Sequence, residues 1–303
     1  MQQIRARILG AAAGGGLPQW NCGCENCRMA RAGDIPAQTQ SSLAVSANGT
    51  DWAILNASPD IRAQLAATPE LHPTGLRDMP LRSVLVTNGD IDHIAGLLTL
   101  REMQRFTLYA TPGIHAVIAT NPIFAALNAS VVTRSTLALE APAEIAPGLE
   151  ATLFAVPGKV PLYMEAPDMD AEIETDLVGE QTVGVELRAG SARAYYIPGC
   201  ARLDESLRAR LTGAALVFFD GTLWRDEEMI AAGLGQKTGR RMGHMSMSGP
   251  AGSIAAFDGL DLGRKVFVHM NNTNPVLRPG APERAEAEAA GWTIGHDGME
   301  LTA

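Results

Sequence analysis

Four apolar runs along this 303-residue chain each end in a short polar segment. The polar segments lie at 87–93, 198–200, 220–222 and 269–274. Helical patterns fall between the runs, so the chain is predicted to be an α/β protein in which strands alternate with helices. Ligand sites in layered α/β proteins gather at the carboxyl ends of the strands. We therefore expect these four segments to form a site.

Turn and cap signals predict the boundaries of several elements. Asn48-Gly49 predicts the turn of a hairpin, and Ser58 followed by Pro59 predicts the start of a helix. Pro122 predicts a break within another helix. Strands are predicted at 4–11, 41–58, 81–88, 106–111, 149–157, 182–199, 215–222 and 265–275, helices at 58–71, 94–104, 111–127, 204–212 and 248–257, and an exposed acidic loop at 165–180. Together they predict one domain over 1–303, with two sheets and outer helices.

Composition excludes several classes of protein. A hydrophobic content of 46% with 19% charged residues is typical of a globular protein with a sizeable core. No apolar run reaches the roughly 18 to 20 residues of a membrane span, and the N-terminus lacks the apolar core of a signal peptide. The expected location is therefore the cytoplasm, without membrane insertion. A net charge of -9 argues against nucleic acid as a partner.

Three of the four cysteines lie within six residues. Cys22, Cys24 and Cys27 form the pattern C-x-C-x2-C, which lets three thiolates converge on one tetrahedral ion. Such spacing in a cytosolic chain predicts a structural zinc knuckle at about 20–28, against the alternative of three unconnected surface thiols. The fourth ligand stays open at this point. Cys200 is one candidate, although a lone cysteine is more often a small core residue.

A second candidate metal site begins at the stretch TNGDIDHIAGLL. Asp90, Asp92 and His93 follow a buried strand directly, and carboxylates at this spacing repel unless water or a cation separates them. His269 ends another apolar strand and shares the same kind of position. The alternative is that these residues form a solvated surface loop without a ligand. We favour a metal site, with Asp92, His93 and His269 as ligands.

The number of histidines discriminates between two kinds of metal chemistry. Two histidines and one carboxylate, with positions left open, are the ligand set of mononuclear non-heme iron that activates oxygen. Dinuclear zinc hydrolysis would need two full histidine clusters, and the chain has only six histidines. Asp220 closes another apolar strand, although an aspartate there often only caps the next turn. His244 lies in a loop that leads into a predicted helix, and both are further candidates for the site.

Asn88-x-Asp90-x-Asp92-His93, followed by Gly96, resembles the H-x-H-x-D-H motif of the metallo-β-lactamase superfamily. The segment GHMSMSG is similar to the G-H-x-S segment of a branch that contains tRNA 3′-processing nucleases and a phosphonate-pathway phosphodiesterase, and that phosphodiesterase carries a C-x-C-x2-C zinc knuckle. A narrower resemblance is to the PqqB family of pyrroloquinoline quinone (PQQ) biosynthesis. It covers nearly the whole chain and rests on LPQWNCGCENC, TQSSLAVS, NASPDIRAQL, IDHIAGLLTLRE, IPGCA, FFDGTLWRDEEM, MGHMSMSG and VHMNNTNP.

This resemblance implies a four-layer αββα sandwich with metal at the ends of the sheets. It implies either an iron-dependent hydroxylase of the tyrosine ring in a cross-linked Glu-Tyr precursor, or a carrier that helps to move PQQ or its precursor toward the periplasm. A phosphodiesterase-type hydrolase is the third hypothesis. The expected cofactors are Fe(II), which zinc readily displaces, and one structural zinc. The expected partners are the PQQ precursor and dioxygen; the oligomeric state stays open, with a homodimer as one alternative.

Several residues depart from the superfamily pattern. Asn88 and Asp90 stand where two zinc-binding histidines are expected, the segment 156–164 holds no histidine, and Gly199-Cys200 replaces the bridging aspartate. The first metal site of the superfamily thus lacks its ligands in this chain, which makes hydrolysis doubtful. Asp92, His93 and His269, which match ligands of the second site, remain. In the related phosphodiesterase a histidine three residues after the strand-end histidine completes the knuckle. Here that position is Asn272, so either its side chain or a water is the fourth ligand.

The remaining candidates are assigned to catalysis and substrate binding. Asp90 is a fourth ligand or orients a water or histidine, and Asp220 and His244 are catalytic candidates, with His244 acting as acid, base or hydrogen-bond donor. Arg240 and Arg241 match the carboxylates of an amino-acid-derived substrate, against the alternative of a solvated loop. Ser246 is a third candidate for substrate binding.

Overall fold

Two seven-stranded β-sheets form the centre of the structure, a computed structural model that describes residues 3–164 and 177–303. Both sheets are mixed, and short helices cover them. The predicted α/β sandwich is therefore confirmed. The prediction that residues 1–303 form a single domain stays a prediction.

The first sheet joins an antiparallel half to a parallel half. Its strands are β1 (Arg5–Gly10), β2 (Ser42–Ser46), β3 (Trp52–Leu55), β4 (Leu81–Leu85), β5 (Phe106–Ala110), β6 (Val132–Thr136) and β14 (Glu300–Thr302). They lie in the order β14-β1-β2-β3-β4-β5-β6. Pairing is antiparallel from β14 to β3 and parallel from β3 to β6. The hairpin predicted around Asn48-Gly49 is confirmed as β2 and β3.

The second sheet has the same division. Its strands are β7 (Pro142–Ala146), β8 (Leu149–Ala155), β9 (Val183–Ala189), β10 (Ala192–Ile197), β11 (Leu216–Asp220), β12 (Arg264–Val268) and β13 (Trp292–Ile294). They lie in the order β13-β12-β11-β10-β9-β8-β7. Pairing is antiparallel from β7 to β10 and parallel from β10 to β13. The parallel halves place the carboxyl ends of β4, β11 and β12 at one edge of the sandwich.

The helices are short, and local caps determine where several of them begin. The α-helices are α1 (Glu25–Ala32), α2 (Ile61–Ala66), α3 (Ile91–Ile94), α4 (Pro112–Ala119), α5 (Glu205–Leu211), α6 (Glu228–Ala231), α7 (Ser253–Ala256) and α8 (Pro282–Ala289), and 3-10 turns lie at Pro69–Leu71, Ala95–Arg101, Pro122–Ala126, Leu162–Met164, Arg240–Met242 and Pro275–Leu277. Asp204 caps α5 by accepting from the Leu207 backbone N–H at 2.9 Å. Thr111 caps α4 in the same way, with Pro112 at its first position. The predicted break at Pro122 is confirmed.

Some predicted boundaries are wrong. The helix predicted to start after Ser58 begins at Ile61, because the Ser58 hydroxyl accepts from the Asp60 backbone N–H and closes a turn before the helix. The helix predicted over 94–104 is a 3-10 turn. Gly96 lies so close to the preceding chain that a Cβ atom there would be 2.1 Å from the Ser58 carbonyl oxygen. The helix predicted over 248–257 is the single turn α7.

The loop predicted at 165–180 falls outside the described residues for all but its last four positions. Within the described ranges, no helix is long and apolar enough to cross a bilayer.

One continuous apolar core fills the space between the sheets and under the helices. β2, β3 and β11 are buried along their whole length, so both faces of these strands are covered. Each large side chain buried in this way contributes about 1.5–3 kcal/mol. The two sheets also meet directly at the edge that holds the carboxyl ends of β4, β11 and β12. The Val183 backbone N–H donates to the Thr87 carbonyl at 2.9 Å, and the Met270 N–H donates to the Ala11 carbonyl at 2.9 Å.

Candidate metal centre

Asp92, His93 and His269 converge at the edge where the two sheets meet. Asp92 and His93 lie in α3, the first helix after β4, and His269 follows the last residue of β12. Ligand atoms of the three side chains all lie within 4.8 Å of one another. The Asp92 Oδ2 atom is 3.1 Å from Nε2 of His269 and 3.8 Å from Nε2 of His93. The structure thus brings together the three residues that the sequence predicted to bind metal, and their role as ligands stays a prediction.

The ring orientation of His93 is set by Asn88. Oδ1 of Asn88 accepts from the Asp90 backbone N–H at 3.0 Å and lies 2.7 Å from Nδ1 of His93. Because an amide oxygen only accepts, Nδ1 of His93 carries the hydrogen and Nε2 presents a lone pair. That Nε2 atom is buried and has no hydrogen-bond partner among the described residues. A buried acceptor aimed at a carboxylate and a second imidazole fits a bound cation.

The electrostatics of the three side chains favour cation binding. Burial alone would raise the pKa of Asp92, but His93 and His269 lower it below its ordinary value. Burial lowers the pKa of His93 to about 4. Burial also acts to lower the pKa of His269, but the contact with Asp92 outweighs it and raises that pKa. An ionised Asp92 and a neutral His93 are the forms that bind metal, and at His269 a proton competes with the cation.

Asp220 and His244 form a hydrogen-bonded pair beside the three side chains. Asp220 is fully buried at the end of β11, and its Oδ2 atom lies 2.7 Å from Nδ1 of His244. The Nδ1 atom of His244 therefore donates, and Nε2 is the ring nitrogen left for a bound molecule. The ring of His244 stacks on that of His269, with centroids 5.2 Å apart. The pair has the geometry of an oriented acid or base.

A pocket of about 460 Å³ opens beside these groups. It is lined by Asp90, Asp92, His244 and His269, and two lysines, Lys159 and Lys237, add positive charge to its wall. Asp90 is not part of the group formed by Asp92, His93 and His269, whose ligand atoms lie within 4.8 Å of one another. Its place in the pocket wall suits contact with a bound molecule better than direct ligation.

The residues predicted to bind substrate lie elsewhere. Arg240 and Ser246 line a separate cavity with Trp224 and Glu286, and Arg240 donates its backbone N–H to Asp226. Arg241, like these two, is not among the residues lining the pocket within the described ranges. Their role in substrate binding stays a prediction, and the pocket wall favours the two lysines. No local pattern marks an isolated lysine in a loop, so these two lysines could not be identified from the sequence.

The three clustered cysteines form a second candidate metal site. Cys24 caps α1, and the sulfurs of Cys22, Cys24 and Cys27 all lie within 4.8 Å of one another. Burial raises the pKa of Cys27 to about 11. Three sulfur atoms this close together, with Cys22 and Cys27 buried, suit zinc, which binds thiolates and displaces their protons.

Asn272 occupies the fourth corner of this cysteine cluster. Its Nδ2 atom lies 3.2 Å from the sulfurs of Cys22 and Cys27 and 3.5 Å from that of Cys24. Half a turn of the amide group exchanges its nitrogen and oxygen, which brings a ligand atom to the same place. Asn272 thus lies beside the three sulfurs, and its role as the fourth ligand, against a water, stays a prediction. Cys200 is buried apart and contacts the Arg202 carbonyl.

Comparison with known proteins places these sites in context. A model of the Beta-lactamase superfamily domain matches residues 51–270. Coenzyme PQQ synthesis protein B of Ruegeria pomeroyi is 59% identical over 294 residues, which cover 97% of this chain and 98% of that protein. The protein of the same name from Rhizobium meliloti is 54% identical over 300 residues, covering 98% of this chain and 97% of the relative.

Solved structures agree with the sequence relatives. The crystal structure of Zn(2+)-bound PqqB from Methylobacterium extorquens is 56% identical, covers 98% of this chain and 99% of that chain, and superposes with a TM-score of 0.95. A diphosphatase of the PhnP family shares 19% identity and a TM-score of 0.69, covering 99% of this chain and 97% of that chain. At that identity the second likeness concerns the fold alone.

Proposed function

Because this chain belongs to the PqqB family, coenzyme PQQ synthesis protein B, and so to PQQ biosynthesis, we propose that it is a mononuclear iron oxygenase of that route. Its substrate would be the cross-linked Glu-Tyr precursor, hydroxylated on the tyrosine ring. The metal-dependent β-lactamase fold supports an enzymatic role. The oxygenase chemistry itself is our proposal.

The observation that carries the proposal is the ligand set at the pocket. Two histidines and one carboxylate meet within 4.8 Å and border a pocket of about 460 Å³. This set leaves coordination positions open for dioxygen and substrate when Fe(II) is bound. Zinc fits the same donors, and the relative from Methylobacterium extorquens was crystallised with Zn²⁺. Because zinc binds such sites more tightly than Fe(II), its presence in a purified protein is compatible with iron as the working metal.

A hydrolase of the superfamily type has less support. Asn88 lies where a first-site ligand is expected, but its oxygen is already engaged by His93 and the Asp90 N–H. Gly199, at the expected bridging position, has no ligand atom, and Cys200 directs its sulfur to a backbone carbonyl. Among the described residues, the other cluster of carboxylate and imidazole groups is Asp220, His244 and His269, which shares His269 with the proposed site and so does not form a separate first site. A hydroxide held between two metals is therefore not supported.

The proposed reaction requires specific roles of the side chains around the pocket. Hydroxylation places one oxygen atom of dioxygen on the ring and reduces the other to water, consuming two protons and two electrons from an external reductant. When bound, the iron would activate dioxygen. His244, held by Asp220, would exchange a proton with the phenol or the departing ring hydrogen through Nε2. Asp220 keeps that ring in one orientation.

The pocket charge supports an anionic substrate. Lys159 and Lys237 line the pocket and place positive charge in its wall, beside a site where the carboxylate of Asp92 would offset part of the charge of a bound divalent cation. A Glu-Tyr cross-linked molecule carries carboxylates that lysine ammonium groups bind well. Substrate binding by these lysines is part of the proposal, in preference to Arg240 and Arg241.

A reconstitution experiment tests the proposed function. The protein would be loaded with Fe(II) without oxygen, mixed with the Glu-Tyr precursor and a reductant, and then exposed to dioxygen. We expect the product to gain the mass of one oxygen atom per hydroxylation, with no gain in Zn-loaded protein or in His93→Ala. Tight binding of the unchanged precursor by both metal forms, without product, would favour the carrier instead.

A further inference from the structure

We infer that Thr222 is a positioning residue that fixes His269 as an Nε2 ligand and links it to the Asp220–His244 pair. The inference rests on the proposed metal site but not on oxygenase activity. Thr222 lies two residues after Asp220, in the loop that follows β11. Because β11 and β12 are parallel and pair Asp220 with Val268, this loop lies beside His269.

The Thr222 hydroxyl contacts four groups at once. Its Oγ1 atom lies 2.6 Å from Oδ1 of Asp220, 2.9 Å from Nδ1 of His269, 3.0 Å from the His269 carbonyl and 3.1 Å from Nδ1 of His244. Thr222 and Asp220 are buried, so water does not compete for these contacts. The backbone of Thr222 is held as well, because its N–H donates to Oδ1 of Asp220 and the Thr222 carbonyl accepts from the Asn271 N–H.

A hydroxyl group has one hydrogen to donate, and this restricts the arrangement. The shortest contact is with the ionised Asp220, which accepts only, so the hydrogen points there. A lone pair of Oγ1 then faces Nδ1 of His269, which must carry a hydrogen. If the hydroxyl instead donated to the His269 carbonyl, Nδ1 would still have to donate. Both arrangements place the hydrogen of a neutral His269 on Nδ1, so Nε2, which faces Asp92, is the nitrogen that a cation can bind.

The backbone of His269 adds a second reason for the contact. Its φ angle is +57°, in the left-handed region that side chains other than glycine seldom adopt. Such a conformation persists when surrounding contacts determine it. The Thr222 hydroxyl lies within hydrogen-bonding distance of both the ring and the carbonyl of His269, so one side chain constrains the ligand at two points.

Asp220, His244 and His269 also lie within 4.8 Å of one another, which raises the alternative of a second metal site. The donors around Asp220 argue against it. Its Oδ1 atom accepts from the N–H and hydroxyl of Thr222, and its Oδ2 atom accepts from the Cys200 N–H at 3.0 Å and from His244 at 2.7 Å. A carboxylate with four donors is the anchor of a hydrogen-bonded network that orients two imidazoles.

Metal titration of Thr222→Val tests the inference, because valine keeps the side-chain shape and removes the hydroxyl. We expect Co(II) and Zn²⁺ affinity at the active site to fall about 10–100-fold, with an altered Co(II) absorption spectrum. Thr222→Ser should restore both. Thr68→Val is the matched control, since Thr68 is equally buried and its hydroxyl donates to the Gln64 carbonyl at 2.8 Å, away from the site. Unchanged affinity and spectrum in Thr222→Val would overturn the inference.

A measurement on the unaltered protein covers the case in which Thr222→Val does not fold. In zinc-loaded protein labelled with ¹⁵N-histidine, NMR should show Nδ1 of His269 protonated and Nε2 bound to metal. Metal on Nδ1 would contradict the inference. Neither test includes substrate or turnover, so failure of the oxygenase proposal would leave both results interpretable.

Discussion

Oδ1 of Asn88 lies 2.7 Å from Nδ1 of His93, so a residue at the position of a superfamily metal ligand instead orients the proposed ligand His93. The replacement has two consequences. It removes a donor from the position of the superfamily's first metal site, and it fixes the tautomer in which His93 presents Nε2 to the proposed active-site metal. One substitution can therefore favour a single metal over a pair.

Removing the contact between Asn88 and His93 should weaken metal binding at the proposed active site. We expect Asn88→Ala to lower metal affinity about 10–100-fold, because the His93 ring loses the acceptor that sets its tautomer. Asn88→Asp should keep most of the affinity, since a carboxylate accepts the same hydrogen bond. Competition with a chelator measures both. Equal affinity in Asn88→Ala and the unaltered protein would show that Asn88 does not position the ring.

The two proposed metal sites should be separable. His93→Ala is expected to lose the active-site metal while the cysteine cluster keeps its zinc, because the two sets of ligands share no residue. His72→Ala is the matched control, since His72 is exposed and its Nε2 atom contacts the Ala66 carbonyl. Metal content per chain reports the result. Loss of both metals in His93→Ala would mean that the sites depend on each other.

Cys27→Ser should release the knuckle zinc and destabilise the fold. A metal whose free concentration is about 100 times its dissociation constant stabilises a protein by about 2.7 kcal/mol. We therefore expect the free energy of unfolding of Cys27→Ser to fall by at least this amount. Cys200→Ser is the control: Cys200 is also buried, but it contacts the Arg202 carbonyl, and serine keeps that bond. Denaturant unfolding with metal analysis measures the difference. Equal losses in the two variants would argue against a zinc-binding role for Cys27.

Substrate affinity should depend on the pocket lysines. Lys159→Met and Lys237→Met are each expected to raise KM about tenfold or more, since a hydrogen bond to a charged group contributes about 1.5–3 kcal/mol. The kcat values should change little, and Arg240→Met should leave KM near its original value, because Arg240 lines a different cavity. Steady-state kinetics of the three variants decide whether the lysines or Arg240 bind the substrate. A rise confined to Arg240→Met would restore the sequence-based assignment.

The sequence predicts the fold well where signals are local. Apolar runs ending in polar segments identified β4, β11 and β12, and the cysteine spacing identified the cluster at the start of α1. The short strands β13 and β14 were not predicted, because three residues at a sheet edge leave little pattern. Helix α1 was missed as well, since the residues of the knuckle form its first turn.

The residues of the proposed metal site were predictable from the sequence, but the groups that orient them were not. Asp92, His93 and His269 share a strand-end position that can be read along the chain. The contact of Thr222 with His269 depends on the parallel register of β11 and β12, which brings together residues 47 apart. The two pocket lysines lie in irregular segments, where neither periodicity nor motif distinguishes them from surface lysines.

The source of the oxygen atom in the product tests the central claim most directly. Fe(II)-loaded protein would turn over the Glu-Tyr precursor with a reductant under isotopically heavy dioxygen in ordinary water. A parallel reaction would use ordinary dioxygen in heavy-oxygen water. If Asp92, His93 and His269 hold an oxygen-activating iron, the heavy isotope enters the hydroxylated ring from dioxygen. Product labelled only from water, or no product although iron is bound, would contradict the account.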